Sequence, residues 1–156
     1  MKQKINIRFS KKIWKLKEEF KTSSRSENTD QVEVIEVVIK KNGYIGRGES
    51  TPYIRYGENI SNSIEELNKI KPFIKNGMTR DKLQLKMKPS SARCAVDCAM
   101  WDLEAKEKNR EIWQLLKIKK NPFPLKTTES YGIRPLKQLQ SDIKKDNYPS
   151  LIKLKA

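Results

Sequence analysis

Two lysines near the end of the sequence, Lys153 and Lys155, have the type and spacing that suit acid–base chemistry. Residues two apart in a β-strand point to the same face, so a strand here holds the two ammonium groups side by side. Each charge disfavours the other, and the pKa of at least one lysine should therefore fall. A lysine closer to neutrality can act as a general base at physiological pH. A chain with 34 Lys and Arg residues also produces such pairs by composition alone, so the spacing leaves both interpretations open.

Imidazole chemistry is excluded, because the sequence contains no histidine. Any triad, metal site or general base that depends on histidine is therefore ruled out. The two cysteines, Cys94 and Cys98, lie four residues apart, which does not match a CxxC redox pair, and no second pair completes a zinc site. We interpret them as two small buried apolar residues on one helix face, in a reducing cytoplasm.

Length and composition fit one ordinary globular domain. The chain has 156 residues, of which 36% are hydrophobic, and this is enough to form a core. It has a formal net charge of +15. The sequence contains no run of 18 apolar residues and no apolar segment after the charged N-terminus. We therefore expect no membrane-spanning helix, no signal peptide and a cytoplasmic location.

Alternating and β-branched segments predict a three-stranded antiparallel meander at the start of the chain. The segments with strand patterns are residues 5–9, 13–20, 32–39 and 44–49. Asn42 and Gly43 form a strong hairpin signal, because both tolerate positive φ. The stretch 21–30 has almost no apolar residue and is predicted to be a long loop.

Helical patterns follow the meander. Ser63 and Glu66 form the pattern of a capping box, which predicts a helix over residues 64–74. Thr79 predicts the start of a short second helix. Ser90 or Ser91 opens the strongest helical pattern, residues 92–106, and 111–116 adds a short further turn. The core stripe predicted for the strongest helix consists of Ala92, Val96, Ala99, Met100 and Leu103.

The basic, proline-broken stretch 117–124 predicts a domain boundary, which we place between residues 120 and 121. A strand pattern over 125–133, a helical pattern over 135–146 and a strand pattern over 151–155 follow it. These elements predict a β-α-β unit with two parallel strands. A parallel unit of this kind normally belongs to a larger sheet that is covered on both faces.

Three segments, taken in order, resemble one known family. They are GYIGRGE at 43–49 with its continuation to residue 58, ARCAVDCAMWDLEAK at 92–106, and IKLK at 152–155. Together they resemble the enolase superfamily, in its muconate-lactonizing subgroup, and most closely the dipeptide epimerases. The resemblance implies an α+β capping domain at 1–120, built from the antiparallel three-stranded meander and helices. It further implies that residues 121–156 are the first βαβ unit of a truncated (β/α)₈ barrel.

The resemblance also implies roles for individual residues. Lys155 would take or return the α-proton of the substrate, and Lys153 would lower its pKa and help to bind the carboxylate. Arg25 resembles the substrate arginine of the family, and a guanidinium suits a carboxylate. Thr128 matches a position that contacts substrate, and Tyr53 would wall the substrate pocket. By residue type alone, Arg25 also fits a solvated loop and Thr128 an ordinary strand position.

Metal, substrate and partners are likewise implied by the resemblance. The complete family enzyme uses Mg²⁺, held by Asp, Glu and Asp on the third, fourth and fifth barrel strands, with a second lysine on the sixth. These groups would lie beyond Ala156. We therefore expect no metal ligands in this chain, no tight Mg²⁺ binding and no activity of the chain alone. The substrate would be a dipeptide or acyl amino acid. A separate chain could supply the remaining strands, or the protein could form a homo-oligomer.

Three functions follow as expectations. The first is epimerisation at the α-carbon of a dipeptide or acyl amino acid by Mg-assisted 1,1-proton transfer with lysine acid/bases. The second is an N-acylamino acid racemase or muconate cycloisomerase-like reaction on the same scaffold. The third is a small basic nucleic-acid-binding protein, which the net charge favours. However, the lysines are spread along the chain and no nucleic-acid motif is present.

The segment after the first predicted barrel strand departs from the family pattern. Members usually carry a Pro-Glu type element after the first barrel strand, where this chain has GIRPLK at 132–137. This departure leaves the assignment to one specific substrate open.

Overall fold

A computed structural model describes residues 5–22, 25–119 and 124–155 of the chain. The strands are β1 (Asn6–Thr22), β2 (Arg25–Lys41), β3 (Tyr44–Ser50), β4 (Glu129–Tyr131) and β5 (Ile152–Leu154). The helices are α1 (Ile60–Lys75), α2 (Arg80–Lys86), α3 (Ser91–Lys108), α4 (Ile112–Leu115) and α5 (Leu136–Lys145), with a 3-10 turn at Ile54–Tyr56. Within the described ranges, no helix has the length and apolarity that crossing a membrane requires.

The described residues fall into two compact units. The first unit comprises Met1–Ile13 and Glu33–Asn121, and the second comprises Trp14–Val32 and Pro122–Ala156. The first contains the three-stranded part of the sheet with helices α1 to α4. The second contains the outer halves of β1 and β2 together with β4, α5 and β5. The predicted boundary between residues 120 and 121 stays a prediction.

The N-terminal sheet has the order β1-β2-β3, which confirms the predicted meander. Strands β2 and β3 pair antiparallel, with Val37 opposite Gly48 and Ile39 opposite Gly46. At the turn between them Asn42 has a φ of 51° and Gly43 a φ of 83°, as the hairpin signal predicts. This turn therefore sets the register of the two strands.

Two details of the predicted meander are wrong. The separate strands predicted at 5–9 and 13–20 are one continuous strand, β1. The long loop predicted at 21–30 is also wrong, because β1 continues to Thr22 and β2 begins at Arg25. The hydrogen bonds of a strand pair join backbone groups, so an exposed ribbon tolerates polar side chains that periodicity assigns to a loop.

The first helix begins earlier than predicted, because Asn59 and not Ser63 caps it. The Asn59 side chain accepts the Asn62 N–H at 2.9 Å, and the Asn62 side chain accepts the Asn59 N–H at 2.8 Å. Asparagine is as good an N-cap as serine, so the two signals compete. Ser63 is instead buried inside α1 with its Oγ 3.4 Å from Ser91 Oγ, and Glu66 accepts a bond from Ser90.

The other predicted helix starts are confirmed. Thr79 caps α2 by accepting the Lys82 N–H at 3.4 Å. Ser90 caps α3 by accepting the Arg93 N–H at 3.2 Å. Helix α3 ends at Asn109, whose φ of 49° is the left-handed conformation that commonly closes a helix.

Helix α3 lies directly on strand β3, and this contact forms the centre of the core. A Cβ added to Gly46 would lie 2.6 Å from Leu103 Cβ, and one added to Gly48 would lie 2.7 Å from the Ala99 nitrogen. Only glycine permits this approach. The buried core around it includes residues of β1, β2 and helices α1, α2 and α3: Ile7, Ile35, Val37, Ile39, Leu67, Ile70, Ile74, Leu83, Ala95 and Val96.

The core stripe predicted for α3 is largely confirmed, but the prediction for the cysteines is wrong. Ala92, Val96, Ala99 and Leu103 are buried, and Met100 is half-buried against the core. Cys94 and Cys98 are exposed. The face of α3 that contacts β3 follows positions 92, 95, 96, 99 and 103, and positions 94 and 98 lie outside that helical stripe.

The C-terminal segment forms the predicted parallel β-α-β unit. Strand β4 pairs parallel with β5, with Glu129 opposite Ile152, Ser130 opposite Lys153 and Tyr131 opposite Leu154. Both strands are shorter than predicted, because residues 125–128 and 132–133 are not part of β4. Among the described residues, each of these strands has only the other as a neighbour.

Candidate functional site

The two predicted catalytic lysines lie at the carboxyl end of β5. Lys153 is exposed in the middle of the strand and faces its paired residue Ser130 in β4. Lys155 is half-buried one residue beyond the strand, and its N–H donates to the Tyr131 carbonyl oxygen at 3.0 Å. This bond extends the β4–β5 ladder to Lys155, so strand alternation assigns both lysines to one face. Their catalytic roles stay predictions.

The three remaining predicted residues are more widely distributed. Thr128 immediately precedes β4 and is exposed. Arg25 is the first residue of β2, and its side chain lies outside the described part of the structure. Tyr53 precedes the 3-10 turn, where its ring packs edge-on against Tyr56 with centroids 5.8 Å apart. Tyr53 belongs to the first unit and the other four residues to the second.

A cavity of about 650 Å³ lies in the second unit, and sequence reasoning did not identify it. Its polar lining includes Tyr131, Arg134, Asp142 and Asp146. The Tyr131 hydroxyl donates to Asp146 Oδ2 at 2.8 Å. Burial of the phenol, and then the Asp146 carboxylate, raise the pKa of Tyr131 to about 12. Tyr131 is therefore a neutral hydrogen-bond donor over the physiological pH range.

Arg134 is the charged centre of this cavity. Its side chain is 13% exposed and forms an ion pair with Asp142 of α5. Its Nε also donates to the Gly132 carbonyl oxygen at 3.3 Å. This residue belongs to the GIRPLK segment at 132–137. Arg134 and Asp142 thus neutralise each other, and their ion pair joins the turn after β4 to helix α5.

A second cavity, of about 950 Å³, lies in the first unit between α1, α2 and α3. Arg80 stacks on the Trp101 ring at 3.3 Å and donates to Glu104 at 2.7 Å. Lys108 also donates to Glu104, at 2.6 Å. The bonds from Lys108 and then Arg80 hold the pKa of the Glu104 carboxyl below its usual range. This cluster joins α2 to α3 and therefore has a structural explanation.

The described residues at the carboxyl ends of β4 and β5 do not form a magnesium site. No group of three or more Asp, Glu, Cys or His side chains with metal-binding geometry occurs in the described ranges. The end of β5 offers ammonium groups, which repel a cation. The nearby carboxylates of Asp142 and Asp146 are engaged by Arg134 and Tyr131. Mg²⁺ needs several oxygen ligands in near-octahedral geometry, which these residues do not supply.

Comparison with known proteins supports the resemblance seen in the sequence. The family described as Mandelate racemase / muconate lactonizing enzyme, N-terminal domain, matches residues 4–117. The L-Ala-D/L-Glu epimerase of Escherichia coli (strain K12) is 32% identical over 112 residues, which are 72% of this chain and 34% of that protein. The N-acetyl-D-glutamate racemase of Pseudoalteromonas sp is 34% identical over 127 residues, which are 78% of this chain and 39% of that protein.

Solved structures agree with these relatives. An enolase family member from Agrobacterium tumefaciens with homology to dipeptide epimerases, bound to sodium and L-Ala-L-Glu, matches with a TM-score of 0.89 and 27% identity over 97% of this chain and 46% of that chain. The dipeptide epimerase of Enterococcus faecalis V583, solved with Mg and L-Leu-L-Tyr, has a TM-score of 0.78 at 23% identity over 100% of this chain and 46% of that chain. The second likeness, at that identity, shows the fold.

The two curated relatives are much longer than this chain, which spans 34% and 39% of their lengths. The match to the N-terminal domain covers the meander and helices α1 to α4, and the parallel β4–β5 pair begins a barrel unit. The fold class expected from the sequence is therefore confirmed. On the family match and the two relatives together, the chain belongs to the mandelate racemase / muconate lactonizing enzyme family of the enolase superfamily.

Proposed function

We propose that this chain forms the N-terminal part of a dipeptide epimerase-like enzyme, which inverts the α-carbon of a dipeptide or acyl amino acid. The observation that carries the proposal is the position of Lys155. It lies at the carboxyl end of parallel strand β5, two residues after Lys153. In the sequence, this strand follows the residues 4–117 that match the N-terminal domain of the family. Catalytic groups of (β/α)₈ barrels come from the carboxyl ends of their strands.

In the proposed reaction, the Lys155 amine removes the α-proton from one face of the substrate, and the C–H bond breaks. A second group of the complete enzyme, in its protonated form, delivers a proton to the opposite face, so the configuration inverts and no atom is lost. Lys153, on the same face of the strand, binds the substrate carboxylate. Mg²⁺ would supply positive charge that stabilises the substrate carboxylate as the proton leaves.

Three residues bind the substrate in this proposal. Arg25 holds a carboxylate of the substrate side chain or terminus with its guanidinium. Thr128 contacts the substrate at the start of β4, and Tyr53 forms part of the pocket wall. The substrates named for the relatives, L-Ala-D/L-Glu and N-acetyl-D-glutamate, both contain an acylated amino acid with acidic groups. We propose a cytoplasmic location for the enzyme, with the remaining strands supplied by further sequence or a separate chain.

A second candidate, N-acylamino acid racemisation, is favoured by the 34% identity to the N-acetyl-D-glutamate racemase. Both reactions invert a carbon next to a carboxylate and differ in the acyl group. A substrate panel therefore separates them.

The experiment joins the 156 residues to the remaining part of the Escherichia coli epimerase and assays the purified chimera with Mg²⁺. L-Ala-L-Glu, other dipeptides and N-acetyl-glutamate are the substrates. We expect epimerisation of a dipeptide, loss of activity by more than about a hundredfold in Lys155→Ala, and near-normal activity in the control Lys137→Ala on the exposed face of α5. The 156-residue chain alone should show no turnover.

Two results would contradict the proposal. One is a folded, Mg-loaded chimera that turns over no substrate of the panel. The other is full activity in Lys155→Ala, which would show that another residue removes the proton.

A further inference from the structure

The outer part of the β1–β2 hairpin contacts the turn that follows β4. The Ile133 N–H donates to the Lys21 carbonyl oxygen at 2.9 Å. A Cβ added to the preceding Gly132 would lie 2.9 Å from that oxygen and 3.1 Å from the Lys21 nitrogen. Such separations are closer than real Cβ atoms normally approach backbone. Glycine at 132 therefore permits the contact, and the hydrogen bond from Ile133 secures it.

Arg134 adds a charged contact at the same place. It is fixed from one side by Asp142 of α5 and by the Gly132 carbonyl oxygen. Glu18 of β1 lies 3.9 Å from its Nη1, the nitrogen that also pairs with Asp142. Glu18 is 71% exposed, so this pair contributes little free energy, but its direction favours the same placement of β1.

We propose that Gly132, Ile133 and Arg134, here called the hairpin clamp, are positioning residues that hold the Lys21 end of β1 beside the turn after β4 and thereby limit where the backbone of Arg25 can lie. The part of the proposal that concerns Arg25 and substrate rests on the proposed function. The clamp itself does not, because its contacts are independent of any substrate.

The length of the chain shows why the clamp would matter. Arg25 follows Lys21 by four residues, which span at most about 14 Å when fully extended. Fixing Lys21 beside the turn after β4 therefore keeps the backbone of Arg25 within about 14 Å of Lys21. A two-stranded ribbon is only marginally stable by itself, so its outer part needs a tertiary contact to keep one position.

The direct test is Gly132→Ala in the 156-residue chain, with Ser130→Ala in β4 as the matched control. Gly132 does not have a left-handed φ, so alanine is strained there only by Lys21. We expect amide exchange of Ile133 and of the outer β1 residues to accelerate about tenfold or more. Exchange in α3 and the main thermal transition should not change, which separates a local role from a general loss of stability.

A spectroscopic measurement reports the position of the hairpin itself. Spin labels at Glu19→Cys and Lys137→Cys, with Cys94 and Cys98 replaced by serine, give the distance between β1 and α5. We expect one narrow distance distribution in the parent chain and a broader one in Gly132→Ala. If Gly132→Ala does not fold, Arg134→Leu carries the same test, with Arg134→Lys expected to restore part of the narrow distribution.

The outcomes separate the clamp from the enzyme. Unchanged Ile133 exchange and an unchanged distance distribution in Gly132→Ala would overturn the clamp, whether or not the chimera is active. In an active chimera, we expect Gly132→Ala to raise KM for an acidic dipeptide about tenfold and to change kcat less. A loosened hairpin without any rise in KM would overturn the placement of Arg25 and leave the clamp intact.

Discussion

Helices α3 and α5 both carry apolar residues at helical spacing, yet they bury very different shares of them. Helix α3 buries Ala92, Ala95, Val96, Ala99, Leu103 and Ala105. Helix α5 has Leu136, Leu139 and Ile143 along one side, but none of its residues is fully buried, and Leu136 is 69% exposed. An amphipathic pattern therefore indicates which face will be buried, and only a partner layer buries it.

The sheets next to these helices differ in the same way. Strand β3 presents Gly46 and Gly48 to α3, and the two backbones meet without intervening side chains. Strand β5 exposes Ile152, Lys153 and Leu154. Parallel sheets are normally covered on both faces, so the exposure of β5 is unusual for a parallel strand. The first unit thus contains a buried core, whereas the parallel pair resembles part of a larger sheet.

Hydrogen exchange offers the largest contrast between these two regions. Amides of residues 96–103 in α3 should open only when the first unit unfolds, whereas those of Ile152–Leu154 should open locally. We expect β5 to exchange on the order of a thousandfold faster or more. The measurement is amide exchange resolved by residue in a chain shown to be monomeric. Equal protection of both segments would mean that β4 and β5 are stabilised as fully as the core.

Matched leucine truncations test the same contrast by equilibrium stability. Leu67 in α1 is fully buried, whereas Leu136 in α5 is 69% exposed. Leu67→Ala should lower the free energy of unfolding by about 2–5 kcal/mol, because it leaves a cavity. Leu136→Ala should change it by less than about 0.5 kcal/mol. Urea unfolding followed by circular dichroism measures both, and a similar loss in the two variants would contradict the distinction.

The sequence predicted features that depend on neighbouring residues. The turn at Asn42 and Gly43, the caps at Thr79 and Ser90, and the α3 stripe are local signals, and all are confirmed. The cap at Ser63 was wrong because Asn59, four residues earlier, offers an equivalent signal. Competition between near-equal local signals is decided by packing, since Ser63 lies on the buried face of α1.

Features that depend on distant residues were not predictable. Cys94 and Cys98 are small enough for a core, but they lie outside the face of α3 that packs on Gly46 and Gly48 of the distant strand β3. Within the polar stretch, residues 21–22 belong to β1 and residues 25–30 to β2, because the two strands are paired through their backbones. In the candidate site, the strand–helix–strand pattern over residues 125–155 correctly predicts the parallel strand that carries Lys153. The contact of Gly132 with Lys21 joins segments far apart in sequence and has no local signal.

Two glycine-to-alanine variants compare how the regions tolerate added volume. In Gly48→Ala the new methyl group meets the backbone of α3, 2.7 Å from the Ala99 nitrogen, and neither layer can move freely. We expect a loss of about 1–3 kcal/mol in the unfolding free energy of the first unit. Gly132→Ala should leave that value unchanged, because its neighbour is the hairpin. Thermal and urea unfolding of both variants provide the test, and an unaffected Gly48→Ala would show that α3 and β3 can separate cheaply.

The smallest effect concerns Tyr131, the one fully buried aromatic side chain among the described residues of the second unit. Burial and the Asp146 carboxylate raise its pKa to about 12, against about 10 for an ordinary tyrosine. The neutral phenol therefore stabilises the folded unit fully below about pH 10, and this stabilisation is lost as pH rises from about 10 to about 12. Subtracting the ultraviolet titration of Tyr131→Phe from that of the parent chain isolates this phenol. We expect a midpoint near pH 12, and Asp146→Asn should lower it toward the ordinary value without reaching it, because burial is the larger cause. A midpoint near pH 10 in the parent chain would show that water reaches Tyr131, and that the packing of β4 against α5 is looser than the structure indicates.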